Sequence, residues 1–381
     1  MKSIYLDHAA STPVHPEVAE EMLKVMTSRF GNASSVHAYG REAKKIVNGS
    51  RDRMAALLGS APDELVFTSG GTESDNLAIF GTLEAVGLEG KHVITSVIEH
   101  HAVLHTCKEL EQRGCEVTYV SVDRTGRVSV QEIAGAIREN TVLITIMFGN
   151  NEVGTVQPIR EIGELAKSRG IVFHTDAVQA LGTEAISCKD FPVDLWSFSA
   201  HKINGPQGMG ALVVKRGHSL SPRQFGGLQE KKRRAGTENM AGIAGFAKAV
   251  ELAVNGLDER REYYGSLRNA LVGGLTESAG ADSFVINGNP EFYMPHIVNI
   301  SFPGTDTETM LMNLDMEGIA AASGSACTSG SLEISHVLQA MALPENVLRS
   351  AIRFSFGLGN TTQEMEYTAQ KIGTILKRLR K

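Results

Sequence analysis

Val193 to Gly210 reads VDLWSFSAHKINGPQGMG: an apolar run (Val193, Leu195, Trp196, Phe198) gives way to Ser199, Ala200, His201 and Lys202, then to Gly205, Pro206, Gly208 and Gly210. The pattern is that of a buried strand delivering one lysine to a tight, glycine-lined turn. A lysine ammonium is costly to bury unless it is paired or chemically committed, and Schiff-base formation with a carbonyl cofactor removes the charge. Just upstream, IVFHTDAVQ (Ile171 to Gln179) is a second apolar run, and it leads to Asp176. A lysine and a carboxylate at the ends of neighbouring strands match the needs of pyridoxal phosphate, the lysine for its aldehyde and the carboxylate for its ring nitrogen. The alternative for these segments alone is an ordinary strand with a surface lysine.

The same strand-then-polar-residue pattern recurs along the chain. Strands are expected to end near Ser69, Ser96, Phe148, Thr175 and Ser199, with another over Gly210 to Val214, and helical stretches separate them. That alternation is the signature of a mostly parallel sheet, in which ligands sit at the carboxyl ends of the strands. Thr72, His100, Asn151, Asp176, Gln179, Ser199, His201 and Lys202 all fall at such ends. ELVFTSGG runs into TESDNLAIF, so Thr72 and the free backbone N–H groups of a helix start form an anion site fit for a phosphate, or else a plain strand-turn-helix junction. Asn150 and Asn151 either cap a turn or bind ligand. His101 and His105 have a metal-compatible spacing on a helix, but no carboxylate or cysteine completes a set, and no metal is expected. His100, at a strand end, suits stacking on a cofactor ring or proton transfer. In the amino-terminal DHAASTPVHP, His8 and Thr12 serve turn chemistry at least as readily as a site.

Composition narrows the class. The chain has 381 residues, 39 of them glycine, with 21% charged side chains and a formal net charge of -6. The length suits a large domain plus a smaller one, and the charge argues against a general affinity for nucleic acid or anionic lipid. Four cysteines (Cys107, Cys115, Cys188, Cys327) show no CxxC spacing, so neither a disulfide framework nor a zinc ribbon is suggested. No signal-peptide core or membrane-length apolar run is visible, and a cytoplasmic location follows as the expectation.

The fold class expected is α/β: a large domain, residues 15–254, with a mostly parallel, seven-stranded type of sheet flanked by helices, plus a smaller α+β domain from residues 1–14 and 255–381. Strands over Val298 to Phe302 and Ala351 to Phe356 belong to the latter, as does a terminal helix carrying Met365, Ile372, Ile375, Leu376 and Leu379 on one side. Between these elements lies ASGSACTSGSL, Ala322 to Leu332, a segment without a bulky side chain before Leu332. Such a composition predicts a mobile loop, and Cys327 at its centre is a thiol placed to react; the alternative is a small residue in a linker.

TSGGTESDN, EHHAV, NNEVGTVQPI, HTDAVQALG, SFSAHKINGPQGMGAL, RAGTEN, SGSACTSGSLE and RFSFG occur in that order. Together they resemble the bacterial cysteine desulfurases of the class V aminotransferase group, over nearly the whole chain, and the SGSACTSGS segment is similar to that of their long-loop branch. The resemblance implies a pyridoxal-phosphate enzyme of fold type I that converts L-cysteine to L-alanine, with Cys327 and Lys202 catalytic beside His100. It implies that Lys202 carries the cofactor, Asp176 pairs with the ring nitrogen, Gln179 bonds the ring hydroxyl and His100 stacks on the ring. Gly71, Thr72, Ser199, Ala200 and His201 surround the phosphate, joined by Thr237 from the second subunit of a homodimer, while Asn151 and Arg353 grip the substrate carboxylate. In relatives the residue matching Cys327 can transiently ligate an iron-sulfur cluster. The sulfur acceptor implied is a tRNA thiouridylase, a sulfur carrier or an iron-sulfur scaffold. The chain stops soon after Leu379, without the longer tail by which some relatives dock a scaffold, which puts scaffold binding in doubt. Gly71 stands where many relatives have Ala. A selenocysteine lyase or an aminotransferase of the same fold is the alternative enzyme, and a non-catalytic sulfur-delivery subunit the alternative outside catalysis.

Overall fold

The computed structural model describes residues 3–324 and 334–380; Met1, Lys2, residues 325–333 and Lys381 lie outside it. Cys327 and most of the segment expected to be mobile are therefore outside the described residues.

The strands lie where period and turn chemistry place them. After β1 (Ile4–Tyr5), seven build the main sheet: β2 (Leu65–Thr68), β3 (His92–Ser96), β4 (Glu116–Val120), β5 (Thr141–Thr145), β6 (Val172–Asp176), β7 (Leu195–Ser199) and β8 (Gly210–Val214). The second part of the chain adds β9 (Val285–Asn287), β10 (Ile297–Ser301), β11 (Ile319–Ala320) and β12 (Ala351–Ser355). The main sheet runs in the order β2-β8-β7-β6-β5-β3-β4. Neighbours from β7 to β4 are parallel, and β8 is antiparallel to both β2 and β7. The expectation of helical separators fails at β8. Only the one-turn 3₁₀ helix Ala200–Lys202 and a glycine-proline turn separate it from β7, too few residues for a parallel crossover, so the chain must turn back.

Helices cover both faces, which is why β7 and β8 are buried at every position. Trp196, Phe198, Ala211 and Val213 join Phe246 and Val250 in one core, whereas Leu195, Leu212 and Val214 join Leu77 and Ala78 in another. Side chains alternate across a strand, so consecutive residues of β7 and β8 feed opposite layers. Trp196 stacks on Phe198 at 6.3 Å and meets Phe191 edge-on at 5.8 Å, fixing the strand that carries Lys202. No single helix is long and apolar enough to cross a membrane among the described residues; the bent pair Met240–Asn255 and Leu257–Ala279 passes by composition, but the first member lies largely buried against the helices Pro16–Ser28 and Ala38–Leu58.

A second core gathers Ile4 and Leu6 with the helices Leu257–Ala279 and Thr362–Leu379 and with the antiparallel sheet β12-β10-β9. β1 pairs parallel with β11, and the backbone of Leu6 and His8 pairs with Ser355 at the end of β12. The amino-terminal loop thus leaves the second core and enters the space above the main sheet. The terminal helix begins with a reciprocal cap between Thr361 and Glu364.

One contact between β8 and the turn after β2 has no slack. A β-carbon on Gly210 would lie 2.6 Å from the backbone of Gly70, immediately before the helix Gly71–Val86. Gly210→Ala should therefore destabilise the protein by about 1–3 kcal/mol, in the range of overpacked cores. Chemical denaturation of the cofactor-free variant checks this, and a wild-type midpoint would refute it.

Candidate functional site

The carboxyl ends of the parallel strands open into a cavity of about 610 Å³. Gly71, Thr72, His100, Asn151, Asp176, Gln179, Ser199, His201, Lys202 and Arg353 all line it. They arrive on six segments of the chain. Gly71 and Thr72 start the helix after β2, His100 caps the helix after β3, and Asn151 follows β5. Asp176 ends β6, Ser199 ends β7, and Arg353 comes across from β12 of the small sheet. Two expected residues lie elsewhere. Ala200 is buried, with its amide donating to the Met209 carbonyl at 3.0 Å, so it does not line the cavity. Thr237 is exposed and does not line its own chain's cavity.

Lys202 Nζ donates to the carbonyl oxygens of Ala9 at 2.5 Å and Ala10 at 2.9 Å. Burial, reinforced by the Arg353 charge and opposed by Asp176 and Asp7, lowers its pKa to about 8. The group therefore has an accessible free-amine form near neutral pH, which a nucleophile or base requires. Asp176 accepts from the Val178 N–H at 2.9 Å, yet burial raises its carboxyl to about 6. Gln179 Nε2 donates to the Ala9 carbonyl at 2.8 Å, so Gln179 and Lys202 converge on one backbone oxygen. His100 accepts the Ala102 N–H on Nδ1 at 3.1 Å, and burial with the neighbouring Lys202 holds it neutral, down to about 4. Burial likewise lowers His201 to about 4, and its ring lies 3.3 Å from the Ser11 hydroxyl.

Arg353 is buried and held by three partners. Nη2 pairs with Asp7 at 2.8 Å, Nη1 donates to the Asn151 carbonyl at 2.9 Å, and its backbone pairs with Ala322. Its Nε has no partner among the described residues, a buried donor available for an anion.

Several groups around the cavity went unmarked in the sequence. Asp7 neutralises Arg353, and Ala9 and Ala10 act through carbonyls that any residue supplies. Asp75 lines the cavity from the helix after β2, with its carboxyl raised by burial and by Asp176. His174 Nε2 lies 3.6 Å from Asp75, but burial lowers that imidazole to about 3, so the contact is not an ion pair. Glu99 is buried, accepts from Ser96 Oγ at 2.5 Å and from the Met147 N–H at 3.0 Å, and rises to about 8. Its place directly before His100 was the available signal. His8 turns away from the cavity lining and packs tightly on Gly357, while Thr12 bonds the His201 carbonyl at 2.8 Å and receives the Asn204 N–H at 2.9 Å. The His101 and His105 rings stack at 5.1 Å.

Pyridoxal phosphate fits these residues on chemical grounds. The buried Ser199 hydroxyl lacks a partner among the described residues, and with Thr72 and the amides of the helix start it offers donors for a phosphate. A buried carboxyl that resists ionisation, as Asp176 does, gains most from a cationic ring N–H. The described cysteines make poor nucleophiles: Cys107, Cys115 and Cys188 are buried, and burial raises all three thiols, Cys188 to about 12.

Comparison with known proteins agrees with this chemistry. The family model Aminotransferase class-V matches residues 4–368. IscS 1 of Bacillus subtilis (strain 168) is 50% identical over 380 residues, covering 100% of both chains. The cysteine desulfurase IscS of Methanosarcina thermophila is 47% identical over 379 residues, covering 100% of this chain and 93% of its own. Among solved structures, a NifS-like protein superposes with a TM-score of 0.93 at 36% identity, covering 99% of this chain and 100% of its own.

The lysine assignment has a pH signature. In the cofactor-free protein, the rate at which Lys202 condenses with added aldehyde should rise with pH and level off above about 8, because only the free amine reacts. Asp176→Asn removes a charge that holds the proton on, so the midpoint should move down. Borohydride trapping and peptide mapping at each pH measure it; an unmoved or raised midpoint contradicts the coupling.

Proposed function

We propose, from the premise that the chain belongs to the aminotransferase class V family and is a pyridoxal-phosphate-dependent cysteine desulfurase, that Cys327 takes sulfur from L-cysteine and passes it to an acceptor protein. The observation that carries this reading is the convergence of Lys202, Asp176 and Arg353 on one cavity, in a chain whose three described cysteines are all buried.

Lys202 would hold the cofactor, with Asp176 at its ring nitrogen, and the cofactor when bound would supply an electron sink for negative charge at the substrate Cα. Gln179 would bond the ring hydroxyl, His100 lie against the ring, and Gly71, Thr72, Ser199 and His201 surround the phosphate. The remaining work falls to protein side chains. Arg353, already neutralised on one side by Asp7, presents Nε to the substrate carboxylate, and Asn151 orients that carboxylate from the opposite strand end. Lys202, once free as an amine, removes the Cα proton; its lowered pKa makes this feasible near neutrality. His100, neutral at that pH, is placed to relay a proton. The Cys327 thiolate attacks the substrate sulfur: an S–S bond forms, the Cβ–S bond breaks, and its electron pair passes to Cβ, which is protonated to give alanine. The product on the enzyme is a persulfide at Cys327.

A homodimer completes the site in this reading. Thr237 would reach the partner subunit's phosphate region, and the exposed Phe225 and Leu228 earlier in the same loop are apolar surface for that contact. The acceptor class is a tRNA-thiolating enzyme, a sulfur carrier or an iron-sulfur scaffold, and the reaction is placed in the cytoplasm.

Replacing Cys327 by Ala should abolish alanine and persulfide formation from L-cysteine while the cofactor's visible absorption remains. Full turnover in that variant would sink the assignment, and alanine formed only from selenocysteine would transfer the enzyme to the lyase class. Arg353→Lys should raise KM for cysteine by about tenfold or more through loss of the planar guanidinium, measured by alanine release at varied substrate.

A further inference from the structure

Glu152 is buried yet carries a carboxylate that the chemistry above does not use. It follows Asn151, whose carbonyl receives Arg353, and an Asx turn sets it: the Glu152 and Val153 N–H groups donate to Asn150 Oδ1 at 2.9 and 3.0 Å. Its side chain reaches residues from both sides of the segment that contains Cys327. On the carboxyl side, the Ser335 hydroxyl donates to Glu152 Oε2. Ser335 Oγ also receives the N–H groups of Val337 and Leu338 at 3.1 and 3.2 Å, so the same hydroxyl caps the helix His336–Ala340. On the amino side, Gly324 has φ +89, and a β-carbon there would lie 2.9 Å from Glu152 Oε2. The backbone just before it is tied to the substrate side, since Ala322 and Arg353 exchange backbone hydrogen bonds at 3.2 and 2.6 Å. One carboxylate therefore adjoins residues 324 and 335, and the residue before it holds the arginine assigned to the substrate.

We propose that Glu152 is a positioning residue for sulfur transfer, fixing both flanks of the Cys327 segment relative to the Arg353–Asn151 carboxylate site. Glu152 touches no reacting atom in this assignment. Its bond to Ser335 holds the carboxyl-side flank, and its side chain fills the space a β-carbon on Gly324 would need, so the amino-side flank packs against it at a left-handed position that favours glycine. Releasing the carboxyl-side flank at Ser335 leaves the Arg353–Asn151 contacts in place, so the loss falls on sulfur transfer more than on substrate binding, and misplacement by about an ångström can cost up to about a hundredfold in rate.

The proposal rests on Cys327 as the sulfur-accepting thiol, and the test separates the two. Holoenzyme variants Glu152→Ala, Glu152→Gln, Ser335→Ala and the Glu152→Ala/Ser335→Ala pair are assayed for alanine release beside Cys327→Ala. Glu152→Ala should lower kcat at least about tenfold and move KM for L-cysteine less than about threefold, with cofactor absorption and melting temperature unchanged. Glu152→Gln keeps an acceptor for the Ser335 hydroxyl and should recover most of that loss. Ser335→Ala should act in the same direction, and the double variant should be no slower than the slower single, as two partners in one contact require. A wild-type kcat in Glu152→Ala, loss of the cofactor with loss of rate, failure of Gln to rescue, or multiplicative losses in the double variant each overturn the proposal. Should Glu152→Ala not fold, Glu152→Gln and Ser335→Ala decide it: near-wild-type rate in the first with a tenfold or greater loss in the second supports the role, and any other pair of results overturns it. If Cys327→Ala turns over normally, the reading of the thiol fails instead, whatever the Glu152 variants do.

Discussion

The ammonium of Lys202 resting on the carbonyl oxygens of Ala9 and Ala10 is the constraint on which the rest of the site depends. It joins the end of β7, in the large sheet, to the loop that leaves β1 of the second core. Lowering its pKa to about 8 corresponds to a net penalty on the charge of on the order of 3 kcal/mol, which burial and Arg353 impose and which remains after Asp176 and Asp7 have offset part of it. The sign is definite. Because the folded protein binds this proton less tightly than the unfolded chain, this group makes stability rise with pH above about 8 until the ordinary lysine range is passed. A protein keeps such a group where chemistry needs the free amine.

Around that lysine the buried carboxyls all ionise less readily than in water. Asp75, Glu99, Glu152 and Asp176 are each raised, with burial the leading cause, Asp176 to about 6 and Glu99 to about 8. Each contributes stability that is present in acid and lost as pH rises through its folded value, the reverse of the Lys202 contribution. Arg353 is the compensating cation, spread over Asp7, the Asn151 carbonyl and an open Nε. The arrangement leaves the cavity ready for a cationic ring and two anions, a phosphate and a substrate carboxylate, rather than internally neutralised.

Much of the fold was legible because the strands are apolar and sharply bounded: β6 and β7 end in Asp176 and Ser199, where the periodic residues stop. The helix Pro16–Ser28 was marked by its first-turn proline. The reversal of β8 was not marked by periodicity, since a strand buried on both faces looks alike in either direction; the brevity of the link after Lys202 was the unused clue. The short strands Val285–Asn287 and Ile319–Ala320 gave no pattern, the first being largely exposed and the second two residues long. Asp7, Asp75 and Glu152 carry no local signature because their partners lie far along the chain, Arg353 from Asp7 by 346 residues and Ser335 from Glu152 by 183.

What the sequence by itself determined is the chemistry available: a lysine after a buried strand, an aspartate at a second strand end, a glycine-threonine helix start, and a cysteine among glycines and serines. Strand ends are local features, and a parallel sheet places them on one edge whatever the details of packing. Only the tertiary structure decided how that chemistry is poised. Burial sets the protonation of Lys202 and Asp176, the small sheet carries Arg353 across to Asn151, and the backbone of Ala9 and Ala10 meets an ammonium some 190 residues away. Those effects depend on dielectric and distance, which belong to the folded chain and not to any stretch of it.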